Sequence, residues 1–260
     1  MKQLFFLALR LLGVNALFRR LNRGRIKVLL YHHVIGDHTA FENAVTAEEF
    51  REQLRHLGRH YTIVALTAEG HWQGYDADRV NILVTFDDGF IDNLTEALPI
   101  LGEHRVRALF FVIAECARTG CPPAFASRYA AAAADQLCTI GPPDIATLIE
   151  AGMTIGSHSL AHRDFRTLSD EQALDDARRS QAMLEEIGGK PVGSFAFPWG
   201  YFSQGQPQLM TDVYERVFLT EHGFCSPEDR VVPRNEVATL LHLEAAASGS
   251  LDFFRSMLAR

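Results

Sequence analysis

The chain has 260 residues, 47% apolar and 22% charged, enough to bury a large core in one α/β domain or two small ones. A net charge of −7 offers no overall attraction for nucleic acid, so nucleic-acid binding is not expected. The four cysteines, Cys116, Cys121, Cys138 and Cys225, form no CxxC pair and read as reduced structural thiols, with a Cys116–Cys121 bridge conceivable only in an oxidising compartment.

The chain opens with "MKQLFFLALRLLGVNALFRRLNRGR", in which Leu4, Leu7, Leu11 and Leu12 fall at helical spacing among Arg10, Arg19, Arg20, Arg23 and Arg25. The apolar run is too short to span a bilayer and lacks a convincing cleavage site. Residues 1–25 therefore predict a basic amphipathic helix. It would pack on the domain's own surface or make a peripheral contact with anionic lipid. A cytoplasmic or membrane-peripheral location is favoured over export.

From residue 26 onward, short β-rich runs alternate with amphipathic stretches. Strands are predicted at Ile26–His32, Tyr61–Leu66, Asn81–Phe86, Ala108–Ile113, Met153–Ser157, Ser194–Pro198 and Arg216–Thr220. Several are apolar on both faces, as parallel strands covered by helices require. Thr46 with Glu49, and Ser169 with Gln172, stand in capping-box register ahead of two helices, and a shorter helix is expected in "PPDIATLIEAG". The irregular stretch 114–143, with "CPP", Ala130–Ala134 and "GPP", reads as a long connection bordering the site. The βα alternation implies one domain, residues 26–260, built on a parallel sheet that is open or closed into a barrel.

Four motifs share an address at strand C-terminal ends, where α/β folds bind ligands. In "TFDDGF", strand alternation sends Asp87 and Asp88 to opposite faces, so both can reach one centre only if the alternation breaks there, as Gly89 would permit. In "GSHSLAH", the spacing of His158 and His162 on a helical turn brings two imidazoles to one face. Two imidazoles with an aspartate form a three-ligand metal set with an open position, and a neighbouring carboxylate could then act as general base. "FAFPWGYF" ends a strand in an aromatic turn suited to a sugar face, or to closing the core. His32 of "LLYHHV" ends the first strand.

"TFDDG", "SHSLAH" and "FAFPWG", in this order, resemble the polysaccharide deacetylases with a NodB-homology domain, carbohydrate esterase family 4. The resemblance runs from "LLYHHV" to "VVPRNEV", and the "YHxV" strand is similar to an exopolysaccharide-processing branch. It implies a distorted (β/α) barrel of about seven parallel strands, a divalent metal (usually zinc), and removal of N-acetyl groups from N-acetylglucosamine-type sugars or of O-acetyl groups from xylan. Carried over by motif, Asp87 would be the general base, Asp88, His158 and His162 the metal ligands, the Trp199 backbone N–H an oxyanion donor, and His32 the general acid. His242, in "TLLHL", is the alternative acid.

One feature departs from the family pattern: no arginine precedes the "PWG" turn to orient the base. Three rival readings fit the residues less well. An aspartate-nucleophile phosphatase needs acids two apart. A two-carboxylate glycosidase needs them further separated than neighbours can be. A binding-only carbohydrate protein has no use for Asp87.

Overall fold

The computed structural model describes residues 2–36, 44–128, 137–237 and 239–258. Seven parallel strands carry the fold: β1 (Ile26–Tyr31), β2 (Asn81–Phe86), β3 (Leu109–Val112), β4 (Thr154–Ser157), β5 (Ser194–Ala196), β6 (Arg216–Leu219) and β7 (Val231–Glu236). They pair in the order β1-β7-β6-β5-β4-β3-β2, and β2 returns to β1 along its full length, from Ile26↔Asn81 to Tyr31↔Phe86, closing a barrel.

The closure is uneven. β3 meets only the C-terminal end of β2, at Thr85↔Leu109 and Phe86↔Phe110, while Thr62–Ile63 covers the other end of β2 as an appended strand. No helix lies between β6 and β7, so the barrel departs from a regular (β/α) repeat.

Both faces of these strands are buried, which explains their continuous apolar runs. Inside the barrel sit Ile26, Val28, Leu83, Leu109, Phe111, Phe218 and Val232. Outside, a larger core lies beneath the helices α3 (Ala47–His60), α4 (Leu98–His104), α5 (Ala114–Thr119), α6 (Pro142–Glu150) and α7 (Asp170–Gly188).

The helices begin where their side chains provide caps. Thr46 and Glu49 form a reciprocal capping box on α3, and Ser169 and Gln172 form another on α7, each worth about 1 kcal/mol. The stripe Phe50, Leu54 and Leu57 is fully buried, at about 1.5–3 kcal/mol for each side chain. α7 stops at Gly189 in the left-handed conformation.

The sequence expectations need three corrections. The run Tyr61–Leu66 is no barrel strand: Thr62–Ile63 is the appended strand, and Ala65–Leu66 turns into an antiparallel pairing with Trp72–Gln73. The seventh barrel strand is Val231–Glu236, whose Pro233, Arg234 and Asn235 break the apolar pattern that marks the others. The N-terminal segment forms two helices, α1 (Lys2–Leu11) and α2 (Val14–Leu21), parted at Gly13, where φ is +70°. They pack on α9 (Leu240–Ser248), which is followed by α10 (Ser250–Leu258), while α8 (Gln206–Met210) precedes β6.

In the connection after β3, α5 and a 3₁₀ turn at Ala124–Arg128 are present, and the alanine run lies outside the described residues. The buried thiol of Cys116 and the exposed thiol of Cys121 are not joined.

Candidate metal centre and carboxylate site

β-strand alternation determines what reaches the C-terminal end of the barrel. On β2 the side that carries Leu83 into the interior continues through Thr85 to Asp87. On β7 the same side runs Val232, Arg234, Glu236, and on β1 it runs Val28, Leu30, His32. These strand ends surround a cleft of about 190 Å³, whose lining includes His32, Asp87, Asp88, His158, His162 and Trp199. Of the seven residues singled out from the sequence, all but His242 meet there.

The alternation breaks immediately after Asp87. Asp88 has φ +69° and Gly89 φ +69°, so the chain folds back and brings both carboxylates to one centre. A Cβ on Gly89 would stand 3.0 Å from the Val112 side chain, so glycine is required on two counts. Backbone bonds then pin this turn to the stretch before α6: Ile140 N–H donates to Gly89 O and Ile91 N–H to Cys138 O.

The two histidines come together by a different route from the expected helical turn. Residues 159–161 form a tight non-helical turn, with φ +67° at Ser159 and +55° at His162. Ser159 Oγ accepts from the His162 N–H at 2.9 Å, and Asp176 of α7 accepts from the Leu160 N–H at 2.9 Å. Trp199, in the "PWG" turn, has φ +59°. Of the five described non-glycine residues with positive φ, four therefore lie at this site, where strained backbone is commonly concentrated.

Asp88, His158 and His162 form a group able to hold a metal ion. Asp88 Oδ1 is buried with no hydrogen-bond partner, and it stands 3.1 Å from His162 Nε2 and 3.6 Å from His158 Nε2. Donors bound tetrahedrally at about 2.0–2.1 Å would be about 3.3 Å apart, so the observed spacings bracket what zinc requires. His158 Nδ1 meets the Ala196 carbonyl at 2.9 Å, which makes Nδ1 the donor and leaves the Nε2 lone pair directed at the centre. Burial lowers the His158 pKa to about 4, keeping the imidazole neutral as a ligand must be. The orphaned carboxylate oxygen and the two imidazole nitrogens fit a divalent cation.

Asp87 takes a different partner. Arg234, fully buried, donates from Nη1 to Asp87 Oδ1 at 2.6 Å and from Nη2 to Oδ2 at 2.8 Å. Burial pushes the Asp87 carboxyl up, but the Arg234 guanidinium, aided by His158, outweighs it and holds the group below its ordinary range. Arg234 is the functional residue that the sequence reading missed. It reaches Asp87 from a strand 147 residues away.

His32 is half-buried on the cleft wall, and its carbonyl accepts from Asn93 Nδ2 at 2.8 Å. The adjacent His33 is buried, stacked 4.0 Å from Phe90 and joined through Nδ1 to Asp92 Oδ2 at 2.6 Å. Asp92 and Asn93 thus anchor the "YHHV" strand end from the start of the helical stretch that follows the "DDG" turn. His242 lies in the first turn of α9 with its ring against Phe6 of α1, and is not among the residues lining the cleft. Trp199 packs its ring against His162 at 4.6 Å and Phe125 at 5.0 Å, so the long connection does border the site.

The sequence model of the polysaccharide deacetylase family matches residues 74–213, more than half the chain, so this chain belongs to the polysaccharide deacetylase family. A Bacillus subtilis (strain 168) protein described as a polysaccharide deacetylase, YxkH, is 19% identical over 170 residues. The match covers 65% of this chain and about half, 55%, of that protein's length.

Among solved structures, the Bacillus cereus polysaccharide deacetylase BC0361 is similar with a TM-score of 0.68 and 21% identity, over 86% of this chain and 69% of its own. IcaB from Ammonifex degensii is similar at 0.66 and 22%, over 86% and 97%. A de-N-acetylase from Aggregatibacter actinomycetemcomitans is similar at 0.66 and 18%, over 82% and 95%. At these identities the likeness is one of fold: the distorted parallel barrel is shared.

Proposed function

We propose that this chain is a metal-dependent hydrolase that removes N-acetyl groups from N-acetylglucosamine-type sugars of a bacterial polysaccharide or glycan precursor, as in an exopolysaccharide-processing branch of the family. The observation that carries the reading is the division of labour between adjacent carboxylates. Asp87 is locked to Arg234, and Asp88 is left to two histidines, in one cleft at the barrel's C-terminal end. A protein that only bound sugars would have no use for a buried, ionised Asp87. The choice of an N-acetyl over an O-acetyl substrate is supported by the fold shared with a protein named a de-N-acetylase.

Asp88, His158 and His162 would hold the divalent ion, with zinc favoured by the nitrogen-rich donor set. When bound, the ion polarises the acetyl carbonyl and makes water a better acid. Asp87 is the general base: it takes the proton of the attacking water, and its ionised form is kept ready by Arg234. The Trp199 backbone N–H, in its left-handed turn at the cleft wall, lends a hydrogen bond to the oxyanion that forms on the acetyl carbon. His32 gives a proton to the leaving amine, completing the cleavage of the C–N bond. Its place on the cleft wall favours it over His242, which faces α1.

The substrate partner is an acetylated glycan, and a membrane surface is a second partner, met through the basic N-terminal segment. The glycan reading is tested by acetate release from N-acetylglucosamine oligomers, with enzyme stripped by chelator and then restored with zinc. Release that vanishes and returns with the metal is the expected result. Release from O-acetylated xylan alone would overturn the amide assignment, and release untouched by chelation would overturn the metal assignment.

A further inference from the structure

On most of the described surface, large apolar side chains are covered. Nine of the twelve large hydrophobic residues that are exposed lie in two places, residues 4–21 and α10. Leu11 and Leu12 are 76% and 78% exposed, Leu17 and Leu21 are 55% and 68%, and Phe253 and Met257 of α10 are about half exposed. The two places adjoin: Phe18 of α2 meets Phe253 at 5.2 Å between ring centres, and Phe5 of α1 meets Phe254 at 5.4 Å. Contiguous exposed patches of this kind mark interaction sites.

These helices are already seated on the protein by their other faces. Leu9 and Phe6 pack with Ala245, Ala246 and Leu251, and Asn15 accepts from the Ser250 hydroxyl at 2.8 Å. The outer leucines are therefore not waiting for the chain's own barrel. They also lie on the flank of the barrel, apart from the strand ends that open into the cleft.

Charge identifies the occupant. The first 25 residues hold six basic side chains and no acidic one, in a chain of net charge −7. Arg10, Arg20, Arg23 and Arg25 are exposed, and Arg255 is exposed on α10. The acidic groups nearby are engaged inward: Asp252 with the buried Lys27, and Glu244 with Arg10 and His56. Leucines edged by arginines, with the carboxylates turned away, suit an apolar slab bearing an anionic surface. α1 and α2 are each about 15 Å long or less, so they would lie on a bilayer of about 30 Å and not cross it.

We infer that the outer face of α1, α2 and α10 is a docking surface for an anionic lipid bilayer, with Leu11, Leu12, Leu17 and Leu21 entering the acyl boundary and Arg20 and Arg23 meeting lipid headgroups. The inference gives the membrane contact of the proposed function its surface and does not depend on the deacetylase part. The docked flank leaves the cleft open to solvent.

The test is sedimentation of the purified full chain with vesicles of phosphatidylcholine, with or without phosphatidylglycerol. The wild-type chain sediments with the anionic vesicles, and raised salt releases it. Leu11→Gln/Leu12→Gln weakens binding at least tenfold, and Arg20→Gln/Arg23→Gln weakens it about 25-fold, at about fivefold per arginine. Both pairs are exposed, so unfolding midpoints should stay at the wild-type value. Acetate release from a soluble oligomer, measured in parallel, should not change with either pair. Failure of binding with release intact would thus overturn this inference and the membrane contact it locates, and leave the deacetylase reading standing.

The inference is also overturned if the chain ignores anionic vesicles, if it binds neutral ones equally well, or if the leucine pair binds as wild type does. A lipid-free dimer that the same leucine substitutions dissolve would make a second copy the occupant and overturn it too.

Discussion

The barrel interior contains two chemistries on the same strands. In its N-terminal half the inward positions are Ile26, Val28, Leu83 and Val232, an apolar plug that hardly differs from any well-packed core. Four residues beyond Val28 and Leu83 the same sides of β1 and β2 deliver His32 and Asp87, and Arg234, two residues beyond Val232 on β7, reaches Asp87 with its long side chain. The lower half holds the strands in a fixed relation, and the upper half uses that relation to place a buried guanidinium against a buried carboxylate. Backbone strain is divided in the same way: four of the five described non-glycine residues with positive φ lie at the upper end. A rigid apolar layer can hold such strained positions and buried charges in place, because shifting them would mean repacking the layer beneath.

The largest effect should come from the metal trio. His158→Ala removes one ligand and leaves Asp88 with fewer partners, so both bound zinc and acetate release should fall to background, read by metal analysis and turnover on the same sample.

Next comes Arg234→Leu, which leaves Asp87 buried without its counter-charge and should cost about 3–5 kcal/mol of stability in denaturant unfolding. With the guanidinium gone, burial acts unopposed by it and the Asp87 carboxyl shifts upward. The acid limb of the rate–pH profile should therefore move to higher pH, a shift that a purely structural arginine would not produce. Arg234→Lys restores charge without the two-pronged geometry and should recover only part of the loss.

In the lower half, Ile26→Ala empties a fully buried site at the start of β1 and should also cost about 2–5 kcal/mol. In contrast to Arg234→Leu, it should leave the pH profile of the remaining folded enzyme where it was. If the two variants gave the same profile, the distinction between the two halves would fail.

The smallest effect is expected from Thr46→Ala. It removes half of the α3 capping box, outside the residues that line the cleft, and should lower stability by about 1 kcal/mol with turnover unchanged.

What was legible in the sequence follows the same division. Asn81–Phe86 and the helices behind Thr46 and Ser169 are written in local signals, an apolar run or a capping pair within four residues, and they stand in the structure where those signals put them. The grouping of Asp88, His158 and His162 was legible because two of its members sit four residues apart and the third is marked by a glycine. The turn that joins the histidines was not, because HxxxH fits a helix as well as a strained loop, and φ cannot be read from residue type at Ser159 or His162.

Arg234 was hidden for a different reason. Its strand carries a proline and three polar residues, so the period that marks buried strands is missing. The residue that justifies burying the guanidinium, Asp87, is 147 positions away. Pairings of that kind arise only once the barrel has closed. Leu4, Leu7, Leu11 and Leu12 were visible as a pattern, but that α10 joins them could be seen only from the packing of Phe18 on Phe253 and of Phe5 on Phe254.

The measurement closest to the central claim compares Asp87→Asn with the wild-type chain for zinc content and for acetate release from N-acetylglucosamine oligomers. A full complement of zinc is expected with turnover lowered by about 10²–10⁴-fold, because the substitution keeps the shape of the side chain while removing its capacity to take a proton, along with the charge that Arg234 pairs with. Turnover at the wild-type rate would contradict the assignment of Asp87 as base, and loss of zinc along with turnover would contradict the separation of roles between the two neighbouring carboxylates.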